Sequence, residues 1–175
     1  MASITEYFEK NKLNYTASAS SEYSSSHSPY NVFTNNSNMY HSKENNDEHW
    51  WQISFSIPVV VASYIFYRHG SDYLKRWKIS YSLDGVVFIT AQEDSSNIGR
   101  NLIPFKMTAP CYCKHFRITH IEDSYGANKL FFDYFNCYGT IEAKKRNKLT
   151  CNFARYRHKL ISHQLMIIMP STITK

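Results

Sequence analysis

The chain has 175 residues, of which 43% are apolar, 19% charged and 16% aromatic. This length suits one domain with its own core, and the aromatic content excludes a collagen-like or wholly disordered chain. The net charge of +6 is unevenly placed, because residues 144–175 carry eight Lys or Arg and no acidic residue, whereas residues 1–143 carry 12 basic and 14 acidic residues. The basic excess therefore belongs to a C-terminal tail, and we expect no nucleic-acid binding by the main domain.

Two further properties bear on location and cofactors. No stretch approaches the ~18 apolar residues of a membrane span, and Glu6, Glu9 and Lys10 stand where a signal peptide needs its apolar segment. We therefore expect a cytoplasmic protein whose four cysteines are reduced thiols. Cys111 and Cys113 form a single C-x-C pair, which does not match the repeated pairs of zinc sites, so neither a metal nor another cofactor is predicted. Residues 31–40 contain no carboxylate, and calcium binding there through carbonyl groups stays open.

The first 49 residues show weak periodicity. Ile4, Tyr7 and Phe8 share one face of a possible short helix within residues 1–13. Residues 16–49 are rich in Ser and Asn but contain four aromatic residues, more than a flexible linker would carry. We predict short strands and ordered loops in this part of the chain.

From residue 50 to residue 140 the pattern is that of β-strands. The segments WWQISF, WKISYS, KHFRITHI and KLFFDYFNCYG alternate apolar and polar residues, and VVVASYIFY after Pro58 has the composition of a separate buried strand. Asp84-Gly85 predicts a hairpin turn, with VVFIT as the returning strand. The pattern predicts an all-β antiparallel sandwich with this core: Trp51, Ile53, Phe55, Trp77, Ile79, Phe116, Ile118 and Phe132.

The tail follows a different pattern. Leu149, Phe153, Tyr156 and Leu160 lie on one stripe of a helix, with basic residues over much of the remaining surface. Such a segment binds an anionic membrane or an acidic partner when it is helical, and otherwise it is a disordered extension. Both alternatives stay open. We divide the chain into a lead-in at 1–14, a domain at 15–142 and a basic tail at 143–175.

The order of these segments resembles the discoidin family, also called the coagulation factor five/eight C-type domain. The resemblance rests on ASASSEYS, NVFTNNSNMYHS, WWQISF, YLKRWKISYSLDG, HFRI and FFDYFNCYG, and spans about residues 15–142. It implies an antiparallel jelly-roll β-sandwich, with a galactose-binding-like fold and long ligand-binding loops at one end. The chain departs from the family at Ser54 and Ser56, where Asp and Gly are usual. No cysteine precedes Cys111, so the disulfide that joins the two ends of many extracellular members cannot form.

The resemblance also implies where a ligand binds. In sugar-binding members an aromatic residue and a His, then an Arg, then a second aromatic residue contact the sugar. These positions fall on Tyr40 and His41, on Arg68 with His69 beside it, and on Tyr125. The acidic residue of those sites has no clear counterpart, and Tyr73 stands about where they have an Asn.

The predicted function is that of a non-catalytic binding module. The chain has no G-x-S-x-G, H-E-x-x-H or P-loop motif, so an enzyme is not predicted. The family resemblance favours a glycan or another polar ligand at the loops. The alternatives are a protein-interaction module of the kind found beside BTB-type domains, and an anionic-membrane protein that uses its loops and basic tail.

Overall fold

The computed structural model describes residues 2–33, 38–45, 47–67, 73–96 and 103–141. The C-terminal tail, and with it Cys151 and the predicted helical stripe, lies outside the described residues. No helix within the described residues has the length and hydropathy needed to cross a membrane. In chain order the elements are β1 (Ala2–Ser3), α1 (Ile4–Lys10), β2 (Tyr15–Ala19), a 3₁₀ helix (Pro29–Phe33), β3 (Tyr40–His41), β4 (Trp50–Tyr67), β5 (Leu74–Ser82), β6 (Ile89–Ser95), β7 (Phe105–Asp123), β8 (Phe131–Phe132) and β9 (Tyr134–Thr140).

The strands form one seven-stranded and one two-stranded sheet. The large sheet has the order β1-β9-β4-β7-β5-β6, and β2 also pairs with β4. The small sheet pairs β3 with β8. All these pairs are antiparallel, which confirms the predicted all-β antiparallel fold. The short helix expected in residues 1–13 is also present, with the Ser3 hydroxyl capping its first turn through the Glu6 amide.

The core is aromatic and lies on the faces that strand alternation predicted. All eight predicted core residues are buried. The Trp51 ring lies 4.6 Å from the Phe135 ring and 5.3 Å from the Phe132 ring. Trp77 packs against Phe66 at 4.8 Å, and its indole N–H donates to the Tyr64 hydroxyl at 2.7 Å. Buried indole and phenol groups usually need such partners, and this hydrogen bond supplies one for the Trp77 indole within the core.

Three details differ from the sequence-based expectation. WWQISF and VVVASYIFY belong to one strand of 18 residues, because a register shift between Ser54 and Val59 accommodates Pro58 without ending the strand. The returning strand of the hairpin begins at Ile89, since the amides of Val86 and Val87 donate to the Asp84 carboxylate and are not available for sheet pairing.

The third difference concerns Phe135, which strict alternation in KLFFDYFNCYG places, together with Phe131, on the face opposite Phe132. Phe132 and Phe135 are nevertheless both buried in the main core. The alternation fails because β8 belongs to the small sheet and β9 to the large one, so the chain changes sheets at Asp133. The Asp133 amide donates to the Tyr67 carbonyl at 3.0 Å, which fixes this bend against the end of β4.

The β3-β8 ladder brings distant parts of the chain together. Tyr40 is opposite Phe132 and His41 is opposite Phe131. The Ser42 amide donates to the Leu130 carbonyl, and the Leu130 amide donates to the Ser42 hydroxyl, each at 2.9 Å. Residues 38–45 and 124–131 are therefore neighbours, and side chains from both form the surface described next.

Candidate ligand-binding site

Tyr40 is part of the core. Its ring is 0% exposed and packs edge-on against Phe132 at 5.7 Å, while its hydroxyl donates to the Ser21 carbonyl at 3.2 Å. Burial raises the pKa of this phenol well above its usual range. The structure thus corrects the expectation that Tyr40 offers a flat aromatic face to a ligand. A two-residue strand is too short for alternation to show which side chain points inward.

His41 is buried in the floor of the surface, and its two ring nitrogens face different partners. Its Nδ1 is 2.5 Å from the Ser42 carbonyl oxygen and therefore carries the proton of the neutral ring. Its Nε2 lies 3.9 Å from Glu44 Oε1, and the ring stacks on Phe131 at 5.9 Å. Burial lowers the pKa of His41, and the nearby Lys129 charge lowers it further, although the Ser42 hydrogen bond acts the other way. A neutral His41 presents Nε2 as a hydrogen-bond acceptor.

Lys129 and Glu44 form an ion pair that sequence inspection missed. Lys129 Nζ is 2.9 Å from Glu44 Oε1 and lies over the rings of Tyr125 at 4.4 Å and Phe131 at 5.5 Å. The lysine is only 7% exposed. Its hydrogen bond and its charge hold the pKa of Glu44 below the ordinary range. Glu44 thus places an acidic side chain at this surface, and no local motif in the sequence marks a pair separated by 85 positions.

Tyr125 is the exposed aromatic residue of this surface. It is 66% exposed, and Lys129 lies against its ring. We call the surface formed by Tyr125, Lys129, Glu44 and His41 the loop site. Two of the predicted residues, His41 and Tyr125, are therefore connected through Lys129. The loop site combines an aromatic face, a cation, a carboxylate and a neutral imidazole, which is the mixture that binds a polar ligand with an apolar side.

Asp123 holds the backbone that carries Tyr125 and Lys129. Its side chain is buried, and its Oδ1 accepts the amides of Tyr125, at 2.7 Å, and Gly126. Its Oδ2 accepts the Lys129 amide at 3.4 Å and faces His120 Nε2 at 3.2 Å. Burial alone would raise the pKa of Asp123, but these donors outweigh burial and lower it. The carboxylate therefore stays ionised and fixes the turn beneath the loop site.

Arg68 and His69 lie outside the described residues. The described residues on either side are held near the loop site, since Tyr67 accepts the Asp133 amide and Tyr73 exchanges hydrogen bonds with Ser124 at 2.8 Å. Tyr73 is half-buried and lies directly before β5. Within the described residues, His41 and Tyr125 lie on the same surface and Tyr40 lies in the core. Arg68 and His69 stay predictions.

A second group of rings adjoins His41. Tyr23 lies 5.0 Å from His41 and 5.5 Å from His27, and the two histidine rings are 5.6 Å apart. We call these three residues the Tyr23 cluster. The sequence showed Tyr23 only as one aromatic residue in a polar stretch, because its contact with His41 depends on folding.

Metal-ligand groupings are absent from the described part of the chain: no three His, Cys, Asp or Glu side chains there are close enough to hold an ion. Cys111, Cys113 and Cys137 are buried and unbridged. Burial raises the pKa of Cys111 to about 11 and that of Cys113 to about 12, which makes these thiols poor metal ligands and nucleophiles at neutral pH.

Comparison with solved structures finds the same fold in several bacterial modules. A family 32 CBM of NanJ from Clostridium perfringens, solved with galactose, is 20% identical, covers 70% of this chain and 92% of its own, and has a TM-score of 0.60. Chitosan-binding module 1 from a chitosanase/glucanase of Paenibacillus sp. IK-5 is 20% identical over 73% and 96% of the two chains, with a TM-score of 0.62. The F5/8 type C domain of a Bacteroides fragilis protein is 18% identical over 72% and 91%, with a TM-score of 0.62.

The family assignment follows from sequence. No curated protein matches the chain. The family model for the F5/8 type C domain matches residues 16–129, which lie within the span of the resemblance noted above. That match covers well over half of the chain and includes β2 to β7, the elements that carry most of the core. The chain therefore belongs to the F5/8 type C, or discoidin, domain family.

Proposed function

We propose that this protein is a non-catalytic glycan-binding module and that the loop site is where the glycan binds. The observation that carries the proposal is the exposed ring of Tyr125 beside the Lys129–Glu44 ion pair. A sugar ring has one apolar face and a rim of hydroxyl groups. The Tyr125 ring can pack against the apolar face, while Lys129 donates to the hydroxyl groups and Glu44 and His41 accept from them.

The comparisons support the class of ligand without deciding its identity. The solved relatives include modules bound to galactose and to chitotriose. The likeness to them is one of fold, so the sugar preference of this chain has to come from its own side chains. Of the positions that the family resemblance assigned to sugar contact, His41 and Tyr125 lie at the loop site. Arg68 and His69 remain proposed contacts.

The test is a glycan array with the full-length protein, followed by calorimetric titration of each bound glycan. Tyr125→Ala is expected to weaken binding by at least about tenfold, as for other aromatic residues at the centre of an interface. The melting temperature should be unchanged because the ring is exposed. Tyr112→Ala is the matched control, since Tyr112 is an exposed tyrosine on β7. An empty array, or wild-type affinity in Tyr125→Ala, would contradict the proposal.

A protein partner is the second candidate function, and one observation favours it. Four aliphatic side chains in the β5-β6 turn and at the start of β6 are exposed: Leu83, Val86, Val87 and Ile89. The Asp84 carboxylate fixes the turn that presents them. Exposed aliphatic clusters of this kind often mark protein contacts. If the array is empty and Val86→Asp converts an oligomer of the full-length protein to a monomer in sedimentation, this candidate replaces the first.

A further inference from the structure

The Tyr23 cluster contains an exposed aromatic ring that nothing in the fold requires. Tyr23 is 58% exposed, so its ring contributes little to the core. It is nevertheless held in place, because its amide donates to the His41 carbonyl at 2.8 Å and its ring meets both histidines edge-on. An aromatic side chain that is already ordered loses little entropy when a ligand covers it.

His27 adds a fixed polar group beside that ring. Its Nδ1 lies 2.8 Å from the Ser24 hydroxyl and 3.2 Å from the Ser26 hydroxyl, so the imidazole orientation is set within the same turn. The Tyr23 amide also ties this turn to β3. The Tyr23 cluster therefore presents an aromatic face together with imidazole and phenol groups, which is the same kind of chemistry as the loop site.

His41 joins the Tyr23 cluster to the loop site. From Tyr23 the contacts run to His41 at 5.0 Å, from His41 to Phe131 at 5.9 Å, and from Phe131 to Lys129 at 5.5 Å. Lys129 then lies 4.4 Å from Tyr125. His41, Phe131 and Lys129 are buried, whereas Tyr23 and Tyr125 are exposed. The two exposed rings therefore lie at opposite ends of one continuous row of side chains.

We infer that the Tyr23 cluster is a second sugar subsite, so that the ligand of this protein is an oligosaccharide with linked sugars on Tyr125 and Tyr23. The inference rests on the proposed glycan-binding function. One sugar ring stacks on one aromatic ring, and three side chains separate Tyr23 from Tyr125 along the row. A chain of two or more sugars is needed to use both. His41 Nε2, between Tyr23 and the rest of the row, is placed to accept a hydrogen bond from the link region.

The experiment compares short and long probes with the full-length protein. The probes are galactose with GalNAc-β-1,3-galactose, and N-acetylglucosamine with chitotriose. Tyr23→Ala is expected to weaken binding of the bound oligosaccharide by about tenfold and to leave the matching monosaccharide unchanged. Tyr125→Ala should weaken both. Tyr23→Phe keeps the ring and should restore most of the oligosaccharide affinity, and Tyr112→Ala is again the control.

The outcomes separate the two proposals. If Tyr125→Ala weakens binding but Tyr23→Ala leaves the oligosaccharide affinity within twofold of wild type, the second subsite is refuted and the loop site stands. Tyr23→Ala would also refute it by lowering the affinities for the monosaccharide and the oligosaccharide equally. A residue of the second subsite does not contact a monosaccharide bound at Tyr125, so it should not change that affinity. If the wild-type protein binds none of the four probes, both proposals fail for these sugar classes.

Discussion

Replacing Asp123 by Asn tests whether one buried carboxylate holds the loop site together. The two side chains have nearly the same shape, but Asn has one acceptor oxygen where Asp has two. If the amide oxygen takes the Oδ1 position, the hydrogen bonds from Tyr125 and Gly126 remain. The NH₂ group then faces the Lys129 amide and His120 Nε2, which both donate to Oδ2 in the wild type. The Lys129 amide loses its acceptor, whereas His120 can accept from the NH₂ group after its proton moves to Nδ1.

The expected loss in free energy of unfolding is about 1–2 kcal/mol. A buried donor left without its acceptor costs about 1–3 kcal/mol. The lower half of this range applies because the Lys129 contact is long, at 3.4 Å, and because Asn no longer buries a charge. Urea unfolding at pH 7 measures this loss, and hydrogen exchange of the Tyr125 and Gly126 amides measures the order of the turn. Binding of a glycan bound by the wild type should weaken in parallel.

The pH dependence of this loss gives an independent check. The pKa of Asp123 is lowered in the folded protein from its ordinary value of 3.8. The stability that the carboxylate contributes is therefore present above about pH 4 and is lost as the pH falls through the folded pKa. The difference between wild type and Asp123→Asn should shrink below pH 4.

Asp84→Asn is the matched control, because Asp84 accepts the turn amides of Val86 and Val87 with Oδ1 alone and is exposed. It should lose less stability than Asp123→Asn and should bind glycan normally. Wild-type stability in Asp123→Asn at pH 7 would refute the assignment of the buried carboxylate as the support of this turn.

Four other predictions concern the core, the β4-β9 pairing, the thiols and the tail. Trp77→Ala should lower the free energy of unfolding by about 3–5 kcal/mol, and an unchanged urea midpoint would mean that the ring is not in the core. Gly139→Ala should prevent folding, because a Cβ there would overlap the Val60 carbonyl oxygen, and a wild-type circular dichroism melt would contradict the β4-β9 pairing. Alkylation of the unfolded protein without reductant should label all four cysteines, whereas a labelling deficit would indicate a disulfide. Sedimentation with anionic vesicles should depend on residues 144–175 and weaken with salt; equal binding by the full-length variant with neutral residues in place of its tail lysines and arginines would refute that role.

Strand alternation predicted the core because it depends on local spacing. Trp51, Ile53 and Phe55 point to one face wherever their strand pairs, so no knowledge of the partner strand was needed. The prediction failed where a tertiary feature replaced the local rule. Phe135 joins Phe132 in the core because the chain changes sheets at Asp133. Val86 lies outside β6 because its amide is bound by Asp84.

The loop site was only partly predictable, since its parts come from distant positions. The family resemblance pointed to His41 and Tyr125 because it depends on the order of segments along the chain. Glu44 and Lys129 became a pair only through the β3-β8 ladder, and Tyr23 gained its role only through contact with His41. Asp123 follows another acid, Glu122, in the sequence, and this pair gives no local sign that four donors converge on the Asp123 carboxylate.

The burial of Tyr40 explains how a ladder of two residues can position a binding surface. A two-stranded sheet this short is not stable by itself. Here each strand sends one aromatic residue into the main core, Tyr40 from β3 and Phe132 from β8, and these rings are in contact. The other residue of each strand points to the opposite face, so His41 and Phe131 form the floor of the loop site. The residue expected to touch the ligand therefore acts one layer below it, where its burial stabilises the floor.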